Sequence, residues 1–421
     1  MNIVDELDQL YQILSKYPLL EPPYRAEGNL IDDFNLRVNC YVQAIDEIYS
    51  TYPSNSIIKK IKNKKITITS FSDRISETLS YFLKGNIREA YSIFDLALTR
   101  TAMNSHLYKM TRSLTKICNE KKPLFRVRSS NSILKDRKEL FHIPFEDRHR
   151  VSAMRFSVSG LPCLYLGSSI FVCWQEMGKP DFDKLYISSF ITDEETQDLR
   201  ILNLGYTLTS IVRTKPLDRF FQWDDTDDTS SETDELDEYD DNEISNNTYS
   251  STRIDNIISK LIAWPLVLAC NYSKRHDYAS FHQEYIIPNL LMQWISSDKN
   301  KDISGISYRS TKILNQKNNG IGLNIIIPPK METVPPDTIG HCPTLKRTFS
   351  MTNPVSWTVF STLEIMPKGY KGAKATIQSS HVSLGSKIEN FDESLVELYD
   401  VSTFKKVELL IDQMMGYERL P

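Results

Sequence analysis

Apolar positions recur every three or four residues through the first part of the chain. Val4, Leu7, Leu10, Tyr11 and Leu14 fall at helical spacing, as do Leu79, Phe82 and Leu83 in a segment opened by Ser70 to Asp73. IREAYSIFDLALTRTAMNSHLYKM reads as one further long amphipathic helix, and short polar connectors lie at Tyr52–Ser56 and Lys84–Asn86. Residues 1–118 are therefore expected to form a small all-helical domain. The period changes after Pro123. In LFRVR, Phe125 and Val127 alternate with Arg126 and Arg128, the pattern of a half-buried strand. Further strands are predicted at 163–167, 184–191, 200–205, 305–311 and 323–328, and helices at Ser168–Met177, Arg253–Ala269 and Glu284–Ile295. After Pro328, VSWTVFSTLEIM reads as β-prone, and a last helix is expected to end near Met415. Strands mixed with helices, without strict β–α–β alternation, predict an α+β fold. This domain is expected over 119–345, with a C-terminal β/α extension over 346–421 packed on it.

Composition narrows the class. A chain of 421 residues exceeds one ordinary core, and hydrophobic and charged fractions of 40% and 25% exclude a fibrous or wholly disordered protein. The start, MNIVDELDQLYQ, has acidic residues where a secretory leader would carry Lys or Arg. The longest apolar run, Leu261 to Cys270, is interrupted by Pro265 and too short to span a bilayer. A soluble, cytoplasmic protein without membrane association is expected. Cys40, Cys118, Cys163, Cys173, Cys270 and Cys342 lie far apart with no C-x-x-C pair, which argues for reduced thiols and against a structural metal site.

The net charge of −4 hides an asymmetry: every charged residue between Asp224 and Glu243 is acidic, and without that run the balance turns positive. The Ser/Thr-rich acidic stretch 224–252 is expected to be a disordered loop inserted in the mixed domain. A mildly basic remainder suits an anionic small molecule, although lysine runs such as Lys59–Lys65 read equally as a solvated surface. No basic stretch interleaved with aromatics points to nucleic acid, and no glycine-rich phosphate loop or Rossmann fingerprint is present.

The informative passage runs from Glu139 to Phe182. It holds Arg155-Phe156-Ser157, then Gly160-Leu161-Pro162 leading into Leu164-Tyr165-Leu166, and a helix ending in Trp174-Gln175-Glu176. This order and spacing resemble the RES domain family, named for its Arg, Glu and Ser. Leu124-Phe125-Arg126-Val127 is similar to that family's opening strand, and Glu284 to Pro288 to a helical segment of its longer members. Gly305 to Ser310, with Asn324, resembles the strands that deliver the serine. The resemblance covers 124–330 and leaves the helical first part outside; shorter members carry Gly and Asn where this chain has Met154 and Ser157.

The resemblance implies an ADP-ribosyltransferase-like fold that binds NAD⁺ as substrate, with no separate cofactor and no metal. It implies cleavage of the nicotinamide–ribose bond by water or phosphate, commonly in toxins, or transfer of ADP-ribose to a protein. Nicotinamide leaves as a neutral molecule, so the reaction needs no strong acid; the sugar passes through an oxocarbenium-like state. Glu176 is the candidate to stabilise that charge and align the nucleophile. Arg155 suits the pyrophosphate, with Arg126 as a second binding candidate. Tyr165 can stack on nicotinamide or donate to a phosphate, and Ser310 can hold Glu176 or a ribose hydroxyl. Each has a plainer reading: Arg155 as a surface arginine, Arg126 paired at a strand edge, Tyr165 as core. Glu176 can equally be a solvated helix end, and Ser307 or Thr311 can replace Ser310. An inhibitory or activating protein partner at the helical domain is expected, since an NAD⁺-consuming enzyme needs restraint. A competing reading comes from Arg100-Thr-Ala-Met-Asn-Ser-His106, which resembles the motif of HEPN ribonucleases, and a third keeps the fold as a non-catalytic nucleotide-binding module.

Overall fold

In a computed structural model, described here for residues 2–192, 199–213, 251–297, 300, 302–312, 322–329, 339–370 and 399–421, the apolar stripes of the first part form helices. These are α1 (Ile3–Leu14), α2 (Leu30–Thr51), α3 (Ser56–Asn63), α4 (Lys65–Leu83), α5 (Ile87–Thr99) and α6 (Thr101–Lys109). In α4 the buried residues Ile68, Phe71, Ile75 and Leu79 make one inward stripe. This helix begins at Lys65, ahead of the expected Ser70–Asp73 start. The single helix expected from Ile87 is two, because Arg100 (φ −53, ψ 128) leaves the helical region between α5 and α6.

A mixed sheet follows. Its strands are β1 (Thr111–Ser113), β2 (Leu124–Ser129), β3 (Leu164–Gly167), β4 (Leu185–Ile191), β5 (Arg200–Asn203), β6 (Gly305–Arg309), β7 (Leu323–Ile327), β8 (Ser350–Met351), β9 (Val355–Ser356) and β10 (Glu418–Arg419). Among the described residues the order is β1-β5-β6-β7-β3-β2-β4-β8-β10, with β9 also on β4. β5 and β6 are parallel and the other pairs antiparallel. β1 lies inside the stretch read as helical; three residues are too few to show a two-residue period, and only pairing with β5 makes them a strand. The remaining helices are α7 (Leu114–Ile117), α8 (Ile170–Glu176), α9 (Leu208–Val212), α10 (Ser251–Ile262), α11 (Trp264–Cys270), α12 (Ile286–Ser296), α13 (Pro343–Thr348), α14 (Trp357–Thr362) and α15 (Thr403–Met414). The protein is thus of mixed α+β class.

Two expected elements are corrected. The helix expected over 253–269 divides into α10 and α11, with Pro265 in the first turn of α11, where its missing N–H costs nothing. VSWTVFSTLEIM is extended only at Val355–Ser356 and then helical. Trp357 packs its ring on Phe404 of α15 and Phe182, and this tertiary contact overrides the β propensity of the local residues. The acidic stretch 224–252 lies outside the described residues, save for the backbone of its last two at the start of α10.

Register decides what each sheet face buries. Leu164, Leu166, Ile325 and Ile327 join Leu124 and Phe190 in one core. The alternate residues Tyr165, Ile326, Ile306 and Tyr308 meet a larger core built by α2, α4, α10, α11 and α12. A third core joins α8 and α15 to Phe125, Val127 and Ile187. Among the described residues no helix is long and apolar enough to cross a membrane.

Candidate functional site

Arg155 stands at the tip of a tight turn. Met154 and Ser157 exchange both backbone hydrogen bonds, 3.1 Å each, which leaves Arg155 and Phe156 as the two turn residues. Phe156 adopts φ 59, a left-handed conformation that costs a bulky residue on the order of 1 kcal/mol. Complete burial of its ring, 4.9 Å from the Tyr308 ring, offsets that cost. The Ser157 N–H also donates to Asn289 Oδ1 at 3.2 Å, tying the turn to α12. Arg155 is only 6% exposed. Its Nη1 donates to the Cys270 carbonyl at 2.7 Å; its Nη2 donates to the Tyr272 carbonyl at 2.5 Å and Thr311 Oγ1 at 3.4 Å. The guanidinium lies over the Tyr285 ring at 5.0 Å. All these partners are uncharged.

Glu176 ends α8, a short helix held at both ends. At its start Ser169 accepts from the Val172 N–H at 3.1 Å, and Glu408 of α15 accepts from the Ile170 N–H at 2.8 Å. A buried carboxylate here faces the positive end of the helix. Burial raises the Glu408 carboxyl above its ordinary range, and the Tyr399 hydroxyl donates to it. At the far end Lys312 Nζ donates to the carbonyls of Gln175 at 3.1 Å and Glu176 at 2.8 Å. The Glu176 side chain accepts from Asn324 Nδ2 at 2.9 Å. Asn324 sits opposite Gly167 in β3 and opposite Tyr308 in β6, so the carboxylate lies against the sheet face that bears Tyr165. Gly167 is required there: a Cβ would stand 2.6 Å from both Cys173 Sγ and Val172 Cγ1 on α8.

The Tyr308 phenol stands among these groups. Burial, first, and the Glu176 carboxylate, second, hold it well above its ordinary value, and Tyr165, Arg155 and Tyr285 also act on it. Tyr165 donates its hydroxyl to the Arg155 carbonyl at 3.3 Å, and burial raises this phenol also. Tyr165 and Arg155 are thus joined by a hydrogen bond, and both, with Glu176, act electrostatically on the buried Tyr308 phenol. Ser310 is buried at the end of β6; its N–H donates to the Gly322 carbonyl at 2.8 Å and its hydroxyl accepts from the Lys312 N–H at 3.2 Å. The hydroxyl that reaches the guanidinium is that of Thr311. Ser307 lies on the opposite face and donates to Asn203. Arg126 is set apart: it alternates with Phe125 and Val127, donates from Nη1 to the Tyr165 carbonyl at 3.0 Å, and burial pushes its guanidinium down to about 10.

Spacing alone gave no role to Asn324, Tyr308, Tyr285 or Lys312. Asn324 carried a readable signal, since one amide in the run LNIII must find a partner when buried. Lys312 carried none. In the helical part, Arg100 separates α5 from α6, and His106 Nδ1 contacts Ser259 Oγ at 3.0 Å, half-buried and with its imidazole held below the ordinary value by burial.

Fold and site together define a mixed α+β protein with a polar cluster built on one sheet face. The chain belongs to the family of a Bacillus subtilis (strain 168) protein named "Putative toxin YopC". The two are 31% identical over 352 residues, which cover 82% of this chain and 70% of that relative. No family model and no solved structure matches the chain.

Proposed function

We propose that this protein is a toxin-like enzyme that breaks the nicotinamide–ribose bond of NAD⁺ on an RES-type, ADP-ribosyltransferase-like core. One observation carries the reading: the Glu176 carboxylate, held by Asn324 at 2.9 Å, shares the surroundings of Tyr308 with Tyr165 and Arg155. The toxin-like part is supported by the name of the Bacillus relative.

The residues support each requirement of the chemistry. The partners of the buried Arg155 among the described residues are carbonyls, a hydroxyl and a ring, so its charge remains for an anion such as the pyrophosphate. Tyr165 and Tyr285, both half-buried, are the aromatic rings assigned to nicotinamide in this reading, Tyr285 with the Arg155 guanidinium over its ring. Glu176 stabilises the positive charge that develops on the ribose as the C–N bond breaks. Nicotinamide departs with the bonding pair, the oxygen of water or phosphate bonds to the anomeric carbon, and in hydrolysis Glu176 takes the released proton. Transfer to a protein differs only in the acceptor.

The test incubates the purified full chain with NAD⁺, with and without phosphate. Nicotinamide, ADP-ribose and ADP-ribose-1″-phosphate are resolved by chromatography, and protein acceptors are sought with labelled NAD⁺. Glu176→Gln is expected to remain folded and to lose turnover. Unchanged turnover in that variant, or no nicotinamide release under any condition, overturns the reading.

A further inference from the structure

Tyr272 touches two distant parts of the chain. Its backbone carbonyl accepts from Arg155 Nη2 at 2.5 Å, and its hydroxyl donates to Asp33 Oδ1 of α2 at 2.7 Å. The carbonyl of nearby Cys270 takes Arg155 Nη1. The main chain 270–272 therefore cradles the guanidinium, and α2 together with the segment before it holds that cradle. The grip has several parts. The Tyr24 N–H donates to the Asn271 carbonyl at 3.3 Å, and the Ser273 N–H donates to the Tyr24 carbonyl at 2.7 Å, a short parallel bridge. The Tyr24 and Tyr272 rings lie 5.6 Å apart, with the Arg37 guanidinium 4.9 Å from the Tyr24 ring. Arg37 Nε donates to the same Asp33 oxygen at 2.6 Å, and its Nη1 donates to the Leu19 carbonyl at 2.5 Å. Tyr24 and Tyr272 are each 1% exposed.

An arginine held by two backbone carbonyls, a threonine hydroxyl and a ring takes much of its direction from the path of the backbone that carries those carbonyls. Part of that path is set by Tyr24 and Asp33, which precede the sheet in sequence. We propose that Asp33 and Tyr272 are positioning residues for Arg155, through which the N-terminal helices set the affinity for the substrate's phosphates. This rests on the reading of Arg155 as a phosphate-binding residue. The helical region thereby gains a defined role, because a partner that shifts α2 moves the guanidinium through Tyr272 and changes substrate binding without entering the site.

The test uses the full chain carrying Tyr272→Phe, Asp33→Ala or Asp33→Asn. Hydrogen exchange is followed in residues 151–160 and 270–275. NAD⁺ affinity is measured in the Glu176→Gln background, and KM and kcat in the otherwise unchanged protein. Tyr272→Phe and Asp33→Ala are expected to speed exchange in both segments and to weaken NAD⁺ binding about tenfold, since a small misplacement of a binding group suffices. KM should rise while kcat stays within roughly twofold, the signature of lost binding rather than lost chemistry. Asp33→Asn, which still accepts from the Tyr272 hydroxyl, should restore both. Faster exchange in 270–275 with none in 151–160 overturns the coupling. Faster exchange in both, with NAD⁺ affinity insensitive to Arg155→Ala, upholds the coupling and instead removes Arg155 from substrate binding. If Asp33→Ala does not fold, Tyr272→Phe, which removes one oxygen, carries the test.

Discussion

Asn324 donates its side-chain amide to Glu176 across 2.9 Å, from a strand whose other residues are all leucine or isoleucine. A hydrogen bond to a charged acceptor contributes about 1.5–3 kcal/mol. Asn324→Ala is therefore expected to lower kcat for nicotinamide release by about tenfold to a hundredfold, through a carboxylate free to rotate away. Asn324→Asp should lower it further, because it sets a second negative charge beside the first. Steady-state rates on the two variants decide this, and kcat unchanged in Asn324→Ala would show that the amide does not orient the carboxylate.

Phe156 combines a left-handed backbone with a fully buried ring, so its ring is the part of the turn that stabilises the fold. Phe156→Ala keeps the strained φ and loses the packing against Tyr308. The expected cost is about 3–5 kcal/mol, read as a lower denaturant midpoint. A loss below about 1 kcal/mol would mean that the ring does not hold the turn.

Lys312 closes the C-terminal end of α8 through two carbonyls. Cations at this position contribute about 0.3–1 kcal/mol, and the helix end here is the residue that bears the carboxylate. Lys312→Ala is expected to reduce turnover about two- to fivefold, whereas Lys312→Arg retains most of it. Equal losses in the two variants would point away from the helix end.

His142 provides a pH test of the fold. Its ring is fully buried; Nε2 accepts from the Cys342 N–H at 2.8 Å and Nδ1 donates to the Ile143 carbonyl at 2.8 Å, which fixes the neutral form. Burial first, then the nearby His341 and Arg126, push the imidazole down to about 3. The unfolded chain takes up this proton below about pH 6.5 and the folded one does not, so stability falls as pH drops through that value toward 3. Between pH 6 and 5 the loss approaches about 1.4 kcal/mol per pH unit from this group. Denaturation curves across that interval should show the slope in the parent protein and a shallower one in His142→Gln.

Much of the local structure is legible in the order of residues. The stripe Leu7, Leu10, Leu14 and the alternation around Phe125 and Val127 reveal a helix and a strand because period follows directly from backbone geometry. Trp357–Thr362 is not legible in this way, since its helical state depends on Phe404, which lies beyond it in sequence. Thr111–Ser113 escapes for the same reason, because its partner β5 is equally remote.

By itself the sequence determined the mixed α+β class, the inward positions Leu7, Leu10, Leu14, Phe125 and Val127, and the spacing that makes Arg155, Tyr165 and Glu176 candidates. Tertiary structure decided which way they turn and what holds them. Arg155 rests on carbonyls 115 and 117 residues away, Glu176 on an amide 148 residues away, and Arg126 is drawn off to the Tyr165 carbonyl. Such bonds are made between segments whose separation along the chain carries no period and no local preference, and only the packed sheet brings them within hydrogen-bonding reach.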